Sequence, residues 1–227
     1  MKMFETKLYQ MLEIQPGVTA LIGSGGKTAL LYHLAGELYR RGTVAIATTT
    51  HIKKPGQYPF AATEEEAKRL LMERHYVCIG TEAEDGKLTA PSFAGWEQIA
   101  DYVIVEADGA KMHPLKAHAV HEPVIPAGCE NVICVVGASG FGEPVQMAAH
   151  RPERYAELAG VGLAVKVTPE IAAKVITAEK VCSRVFLNQT DALKGFFTGA
   201  QVKEFAKALD VPVVAGSLRQ GIWQKIK

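Results

Sequence analysis

A glycine-rich segment followed by a lysine and a threonine carries the clearest chemistry in this 227-residue sequence. Residues 18–22 form an apolar run, residues 23–26 read Gly-Ser-Gly-Gly, and Lys27 and Thr28 open a helical pattern. Glycines allow a tight turn whose N–H groups converge on an anion, and the next helix adds the positive end of its dipole. The segment therefore predicts a strand, a phosphate-binding loop and a helix in that order.

The loop is shorter than the usual phosphate loop, which has a glycine six residues before the lysine. Leu21 occupies that position here, and the first glycine stands four residues before Lys27, which resembles the G-x-x-G-K-[ST] loop of the Mur ligases. The alternative is a helix-capping turn with a solvated lysine. We favour a site for the phosphates of ATP or GTP, built by Gly23, Ser24, Gly25, Gly26, Lys27 and Thr28.

Two carboxylates follow a second apolar strand. Residues 102–105 are apolar, and Glu106 and Asp108 come directly before a glycine. Residues two apart on an extended chain point to the same side, and carboxylate oxygens are ligands that Mg²⁺ prefers. We expect Thr28, Glu106 and Asp108 to hold Mg²⁺, and Asp108 to orient the nucleophile of a phosphoryl transfer. The alternative is a strand-end turn with solvated acids.

Two more side chains are candidates for neutralising charge on a transferred phosphate. His51 follows three threonines at the end of another apolar strand, where ligands bind in doubly wound sheets. Lys111 lies in the loop after the acid pair. The predicted catalytic residues are thus Lys27, Asp108, Lys111 and His51. The spacing of His113, His118 and His121 matches no zinc template, so their role stays open.

A later strand ends in Asn188-Gln189-Thr190-Asp191. The N-K-x-D pattern of GTPases has this form, in which the aspartate accepts two donors from guanine that adenine lacks. Gln189 stands where the lysine would cover the base, so the match is partial. We expect Asn188 and Asp191 to contact the base, and the choice between GTP and ATP stays open. The alternative is a polar turn.

About seven apolar strands alternate with helical patterns along the chain, which predicts an α/β fold. The expected architecture is a mainly parallel sheet with helices on both faces, a three-layer sandwich like that of phosphate-loop NTPases. We predict a single domain over residues 1–227, with a small hairpin at 81–91. A helix is expected over residues 4–14, and a mobile glycine-rich loop over 138–150.

Composition limits the classes of partner. A net charge of +1 argues against nucleic acid, and the lack of an 18-residue apolar run argues against a membrane span. The N-terminal residues lack the apolar core of a signal peptide, so we expect a cytoplasmic protein. The cysteines form no C-x-x-C pattern and are expected to be buried free thiols, at Cys78, Cys129, Cys134 and Cys182.

The combination of these motifs, in this order, resembles the YqeC family. The resemblance rests on residues 23–28, 47–51, 105–110 with Lys116, and 188–191. Members are described as accessory proteins of selenium-dependent molybdenum hydroxylases. The resemblance implies a cytoplasmic nucleotide-binding protein that assists the maturation of such a hydroxylase, with the hydroxylase or its cofactor-maturation proteins as partners.

Three functions are compatible with these residues. The leading hypothesis is a Mg²⁺-dependent protein that hydrolyses a nucleoside triphosphate or transfers its γ-phosphoryl group. The second is a Mur-like ATP-dependent ligase or a small-molecule kinase. The third is a non-catalytic cofactor carrier or chaperone switched by nucleotide, with residues 113–121 and 138–150 as its partner surface.

Overall fold

The computed structural model describes residues 6–54, 56–193 and 198–227. Among these residues, no helix is of a length and apolarity to cross a membrane. The helices are α1 (Leu8–Met11), α2 (Lys27–Leu38), α3 (Glu64–Arg74), α4 (Val145–Ala148), α5 (Pro152–Ala159), α6 (Pro169–Glu179) and α7 (Thr198–Lys207). The strands are β1 (Gly17–Gly23), β2 (Val44–Thr48), β3 (Ile52–Lys53), β4 (Phe60–Ala61), β5 (Tyr76–Ile79), β6 (Thr81–Glu82), β7 (Lys87–Thr89), β8 (Tyr102–Glu106), β9 (Leu115–Lys116), β10 (Asn131–Gly137), β11 (Ala149–His150), β12 (Arg184–Asn188), β13 (Val213–Ser217) and β14 (Ile222–Lys225).

The main sheet has nine strands in the order β14-β13-β12-β10-β1-β8-β2-β5-β4. Its pairs β2–β5, β2–β8, β4–β5, β10–β12 and β12–β13 are parallel, and β14 is antiparallel to β13. The predicted α/β fold with a mainly parallel sheet is confirmed. The central strands are buried on both faces, which explains why they read as continuous apolar runs.

The chain divides into two compact units. The first contains the described part of residues 1–20, 28–107 and 124–131. Its core joins β2, β5 and β8 to α3, through apolar residues such as Val77, Val103 and Leu71. Helix α3 begins at an N-cap where the Thr63 hydroxyl accepts from Glu66 N. Strands β6 and β7 pair as an antiparallel hairpin inside the predicted segment 81–91, and β7 also pairs with β3.

The second unit contains residues 21–27, 108–123 and the described part of 132–227. Strands β10, β12 and β13 run parallel at its centre. Helix α6 begins as its sequence predicts, with Thr168 as N-cap and a proline in the first turn. The prediction of one domain over residues 1–227 stays a prediction.

Three local expectations differ from the structure. The first helix covers only Leu8–Met11 within the described part of residues 4–14. The segment 138–150, expected as a loop, holds a 3₁₀ turn at Ala138–Gly140, helix α4 and strand β11, which pairs with β9. All the cysteines are free, but Cys129 and Cys182 are only partly buried.

Candidate functional site

The glycine-rich loop leaves β1 along a path that only glycine permits. Gly23 and Gly25 have φ angles of +86° and +85°. A Cβ on Gly25 would lie 2.3 Å from the backbone nitrogen of Gly137, and one on Gly23 would lie 2.4 Å from the Val135 carbonyl oxygen. The glycine spacing therefore reflects close backbone packing against β10 as well as turn geometry.

The lysine of the loop is held inside the protein. Lys27 Nζ donates to the Gly23 carbonyl oxygen at 2.6 Å and lies 2.9 Å from Asp108 Oδ1. The ammonium group is almost fully buried, and the pairing with a carboxylate compensates its lost hydration. In the second unit, the structure thus brings together the predicted phosphate-binding lysine and the predicted catalytic carboxylate.

Asp108 is the centre of a dense set of donors. Its Oδ2 atom accepts from Gly23 N at 2.8 Å and from His118 Nε2 at 2.7 Å, and lies 3.0 Å from Lys116 Nζ. Burial alone would raise the pKa of Asp108, but the hydrogen bond from His118 and the charges of Lys27 and Lys116 hold this pKa well below its usual range. Asp108 is therefore an anion and a poor proton acceptor at neutral pH.

His118 connects Asp108 to helix α6. Its Nδ1 atom lies 2.7 Å from Glu179 Oε2, and its backbone nitrogen donates to Glu179 Oε1 at 2.6 Å. Burial opposes protonation, but the hydrogen bonds to Asp108 and Glu179 raise the pKa of His118 to about 9. The imidazole is thus a cation at neutral pH and donates from both nitrogens.

The network extends to a second carboxylate. Lys116 Nζ lies 2.7 Å from Glu122 Oε2, and Arg151 pairs with the same carboxylate through its Nη1 and Nη2 atoms, at 2.7 and 2.9 Å. The cationic side chains that pair with Asp108 or Glu122 are Lys27, Lys116, His118 and Arg151. Several cations beside one loop favour the binding of an anion there.

The first unit contains the other predicted pair. Thr28 Oγ1 donates to Glu106 Oε2 at 2.8 Å. Thr48 Oγ1 donates to the Glu106 carbonyl oxygen at 2.9 Å, and Thr49 N donates to the same carbonyl at 3.1 Å. The last threonine of β2 and the one that follows it therefore anchor the end of β8, and so the backbone of Glu106.

Thr28 and Glu106 supply a hydroxyl and a carboxylate, which suit Mg²⁺. Within the described ranges, no cluster of three or more His, Cys, Asp or Glu side chains is arranged to hold a metal ion. Mg²⁺ commonly takes only one or two protein ligands and completes its shell with phosphate and water, so this pair fits such an ion. The assignment of Asp108 to the metal stays a prediction.

Asn188 and Asp191, the two residues predicted to contact the base, have different partners in the structure. Asn188 Nδ2 donates to the Gly25 carbonyl oxygen at 2.9 Å, and Asn188 Oδ1 accepts from Leu218 N at 3.1 Å. Asn188 thus braces the loop. Asp191 Oδ2 lies 3.3 Å from Arg219 Nε, and the Arg219 side chain is 84% exposed. An ion pair at such a site contributes little free energy, so another pair of donors can replace Arg219.

The remaining candidates are exposed or half-buried, and the His113 carbonyl oxygen accepts from Ser24 Oγ of the loop. His51 is exposed. Lys111 is exposed at a φ of +46°. His113 stacks on His150 with ring centres 6.1 Å apart, and His121 is exposed. The sequence reasoning missed the roles of His118 and Glu179, for which the sequence holds no local signal.

Comparison with known proteins identifies the family. The model of the YqeC family, described as "YqeC protein", matches residues 19–153. The chain belongs to the YqeC family. It is 31% identical over 159 residues to the uncharacterized protein YqeC of Escherichia coli (strain K12), a match that covers 65% of this chain and 62% of that relative.

A solved structure is similar at lower identity. It is the signal recognition particle 54 kDa protein from Aeropyrum pernix K1 in complex with GDP, at a TM-score of 0.43 and 17% identity. The match covers 93% of this chain and 44% of that one.

The loop packing predicts opposite effects for two glycine-to-alanine changes. Gly25→Ala should lower the free energy of unfolding by about 2 kcal/mol or more, because alanine is strained at this φ and its Cβ meets the Gly137 backbone. Gly36→Ala on α2 is the matched control, since its Cβ meets open space and alanine favours the helix by about 1 kcal/mol. Urea unfolding of both variants measures the difference. Equal effects would contradict the packing described for the loop.

The raised pKa of His118 predicts that the free energy of unfolding depends on pH. Its pKa rises from 6.5 to about 9 on folding, so its stabilising effect is complete below pH 6.5 and is lost as the pH rises through about 9. The loss should be on the order of 3 kcal/mol at most. The urea midpoint should fall over this range in the wild type and in His121→Gln, and much less in His118→Gln. Parallel curves for the wild type and His118→Gln would exclude a protonated His118.

Proposed function

We propose that this protein binds a nucleoside triphosphate with Mg²⁺ and hydrolyses it or transfers its γ-phosphoryl group. The observation that carries the proposal is the loop of residues 23–27, whose buried Lys27 pairs with Asp108 beside two further buried cations, Lys116 and His118. Backbone N–H groups of such a loop and the start of α2 favour an anion. Membership in the YqeC family supports a role in maturing a selenium-dependent molybdenum hydroxylase.

Lys27 would exchange its protein partners for phosphate oxygens. In the structure the ammonium binds the Gly23 carbonyl and Asp108, both of which a triphosphate can replace with stronger acceptors. Asp108 remains in place because Gly23 N, Lys116 and His118 also hold it. Its low pKa suits a group that orients the attacking oxygen and does not take its proton.

In the reaction, the attacking oxygen forms a bond to the γ-phosphorus while the bond to the oxygen of the nucleoside diphosphate breaks. With water as nucleophile the products are the diphosphate and inorganic phosphate, and the proton leaves to solvent. A bound Mg²⁺ would neutralise charge on the phosphates, and Thr28 and Glu106 are the residues to hold it. Lys111 and His51 are exposed, and we assign them a secondary role in neutralising charge on the transferred group.

The carrier or chaperone function is the second candidate. The observation that favours it is the Lys27–Asp108 ion pair, which a phosphate contact of Lys27 would have to rearrange. A protein that responds to nucleotide binding without hydrolysing the nucleotide needs a contact that differs between its bound and unbound states. Tight Mg²⁺–nucleotide binding with negligible phosphate release would support this candidate over an NTPase.

Lys27→Ala should lower nucleotide affinity or turnover at least tenfold, equivalent to about 1.4 kcal/mol, because it removes the charge that contacts the phosphates. Binding of ATP and GTP with and without Mg²⁺, by calorimetry, measures the effect. Lys68→Ala is the control, since Lys68 is an exposed residue of α3. Circular dichroism must show that Lys27→Ala is folded, and Lys27→Arg retains the charge with altered reach. Unchanged affinity in a folded Lys27→Ala would remove the phosphate-loop assignment.

The Asp191→Ala variant tests whether the site selects guanine over adenine. We propose that its carboxylate replaces the Arg219 contact with two donors of guanine. Asp191→Ala should then reduce GTP affinity by about tenfold or more and leave ATP affinity unchanged. Asp210→Ala controls for loss of one exposed carboxylate. An equal affinity of the wild type for ATP and GTP would show that Asp191 does not read the base.

A further inference from the structure

Four of the seven tyrosines meet around an open pocket in the first unit. Tyr32 and Tyr39 come from α2, Tyr58 from the segment before β4, and Tyr76 from β5. The pocket has a volume of about 470 Å³, within the range of small-molecule sites, and Gln57 and Ala35 complete its lining.

The rings that line the pocket contact one another in stacked and edge-to-face pairs. Tyr32 and Tyr58 are stacked, with centroids 5.3 Å apart and planes 20° apart. Tyr76 meets Tyr58 edge to face at 5.5 Å and 79°, and meets Tyr39 at 6.2 Å and 79°. Tyr32, Tyr58 and Tyr76 are only half-buried, so part of each ring faces the pocket. Half-buried aromatic faces of this kind are platforms on which a planar ring stacks.

The pocket also has polar edges. Tyr58 Oη donates to the Tyr32 carbonyl oxygen at 3.4 Å, so its hydroxyl is fixed, and the exposed Gln57 offers an amide with both donors and an acceptor. Such an amide can pair with the edge of a nitrogen heterocycle, as in base recognition.

The position of the pocket relates it to the Thr28–Glu106 pair. Tyr32 follows Thr28 by one turn of α2, so the two side chains lie on the same face of the helix. A ring in the pocket therefore lies about one helical turn from Thr28, one of the residues proposed to hold Mg²⁺.

We infer that the tyrosine pocket binds the planar nitrogen heterocycle of a second ligand, the acceptor of the γ-phosphoryl group. The role of the second ligand as phosphoryl acceptor rests on the proposed function, whereas the binding of its ring rests on the pocket alone. An oxygen on a substituent of the ring would form the new bond to phosphorus, the bond to the nucleoside diphosphate would break, and the proton of that oxygen would pass to solvent. The base of the loop-bound nucleotide is not needed in this pocket, because Asp191 is proposed to contact that base.

Saturation-transfer NMR with adenosine, guanosine and cytidine as probes tests ring binding to the whole protein. At least one nucleoside should bind through its ring protons, and ribose alone should not. Tyr58→Leu should weaken this binding about tenfold, since stacking on one aromatic ring contributes about 1–3 kcal/mol. Tyr58→Phe should retain most of it, and Gln57→Ala should weaken it without touching a buried residue. Tyr9→Leu, which changes a tyrosine outside the pocket, should have no effect.

Competition with ATP and Mg²⁺ separates the outcomes. Nucleoside binding that persists under saturating ATP, together with unchanged ATP affinity in Tyr58→Leu, supports a second-ligand site. Displacement of the nucleoside by ATP would overturn it, since the pocket would then hold the base of the nucleotide itself. No binding of any nucleoside at millimolar concentration would overturn the ring site while leaving the phosphate loop intact. If only the phosphate-loop assignment is wrong, the Lys27 variants will bind ATP and GTP as the wild type does, and the nucleoside results will not change.

Discussion

The ionised carboxylate of Asp108 is the group on which the second unit depends. Its two oxygens face one backbone N–H of the loop and three cationic side chains, and each of those buried donors would lose a charged partner without it. Removing the carboxylate would therefore affect the loop, β9 and, through His118, the end of α6 together. Because all four donors converge on one side chain, the loop conformation and the charge of the site are set by the same interaction.

The local features of the site could be predicted from the sequence. The order of β1, loop and α2 depends on residues within a dozen positions, and the Thr28–Glu106 contact follows from two short motifs at strand ends. The caps of α3 and α6 depend on three or four consecutive residues, so they were equally accessible. In each case the physics that forms the element acts between neighbours in the chain.

The rest could not be predicted, because it depends on distant partners. His118 is one of three histidines in a loop, and its sequence does not distinguish it from His113 or His121 until Glu179 lies beside it. The four tyrosines of the pocket likewise come together only because the sheet of the first unit positions α2 and β5. Their spacing in the sequence does not indicate a shared pocket. The segment 138–150 misled the prediction because its glycines indicate a loop, whereas pairing of β11 with β9 orders its end.

The hydrogen bonds of Asn188 affect the order in which the glycine-rich segment can fold during translation. One carboxamide holds both the Gly25 carbonyl and the Leu218 backbone nitrogen. In the order of translation, Asn188 follows Gly25 by 163 residues, and Leu218 follows Asn188 by another 30. The glycine-rich segment therefore leaves the exit tunnel long before the side chain that braces it, and it gains this support only after β12 and residue 218 have emerged.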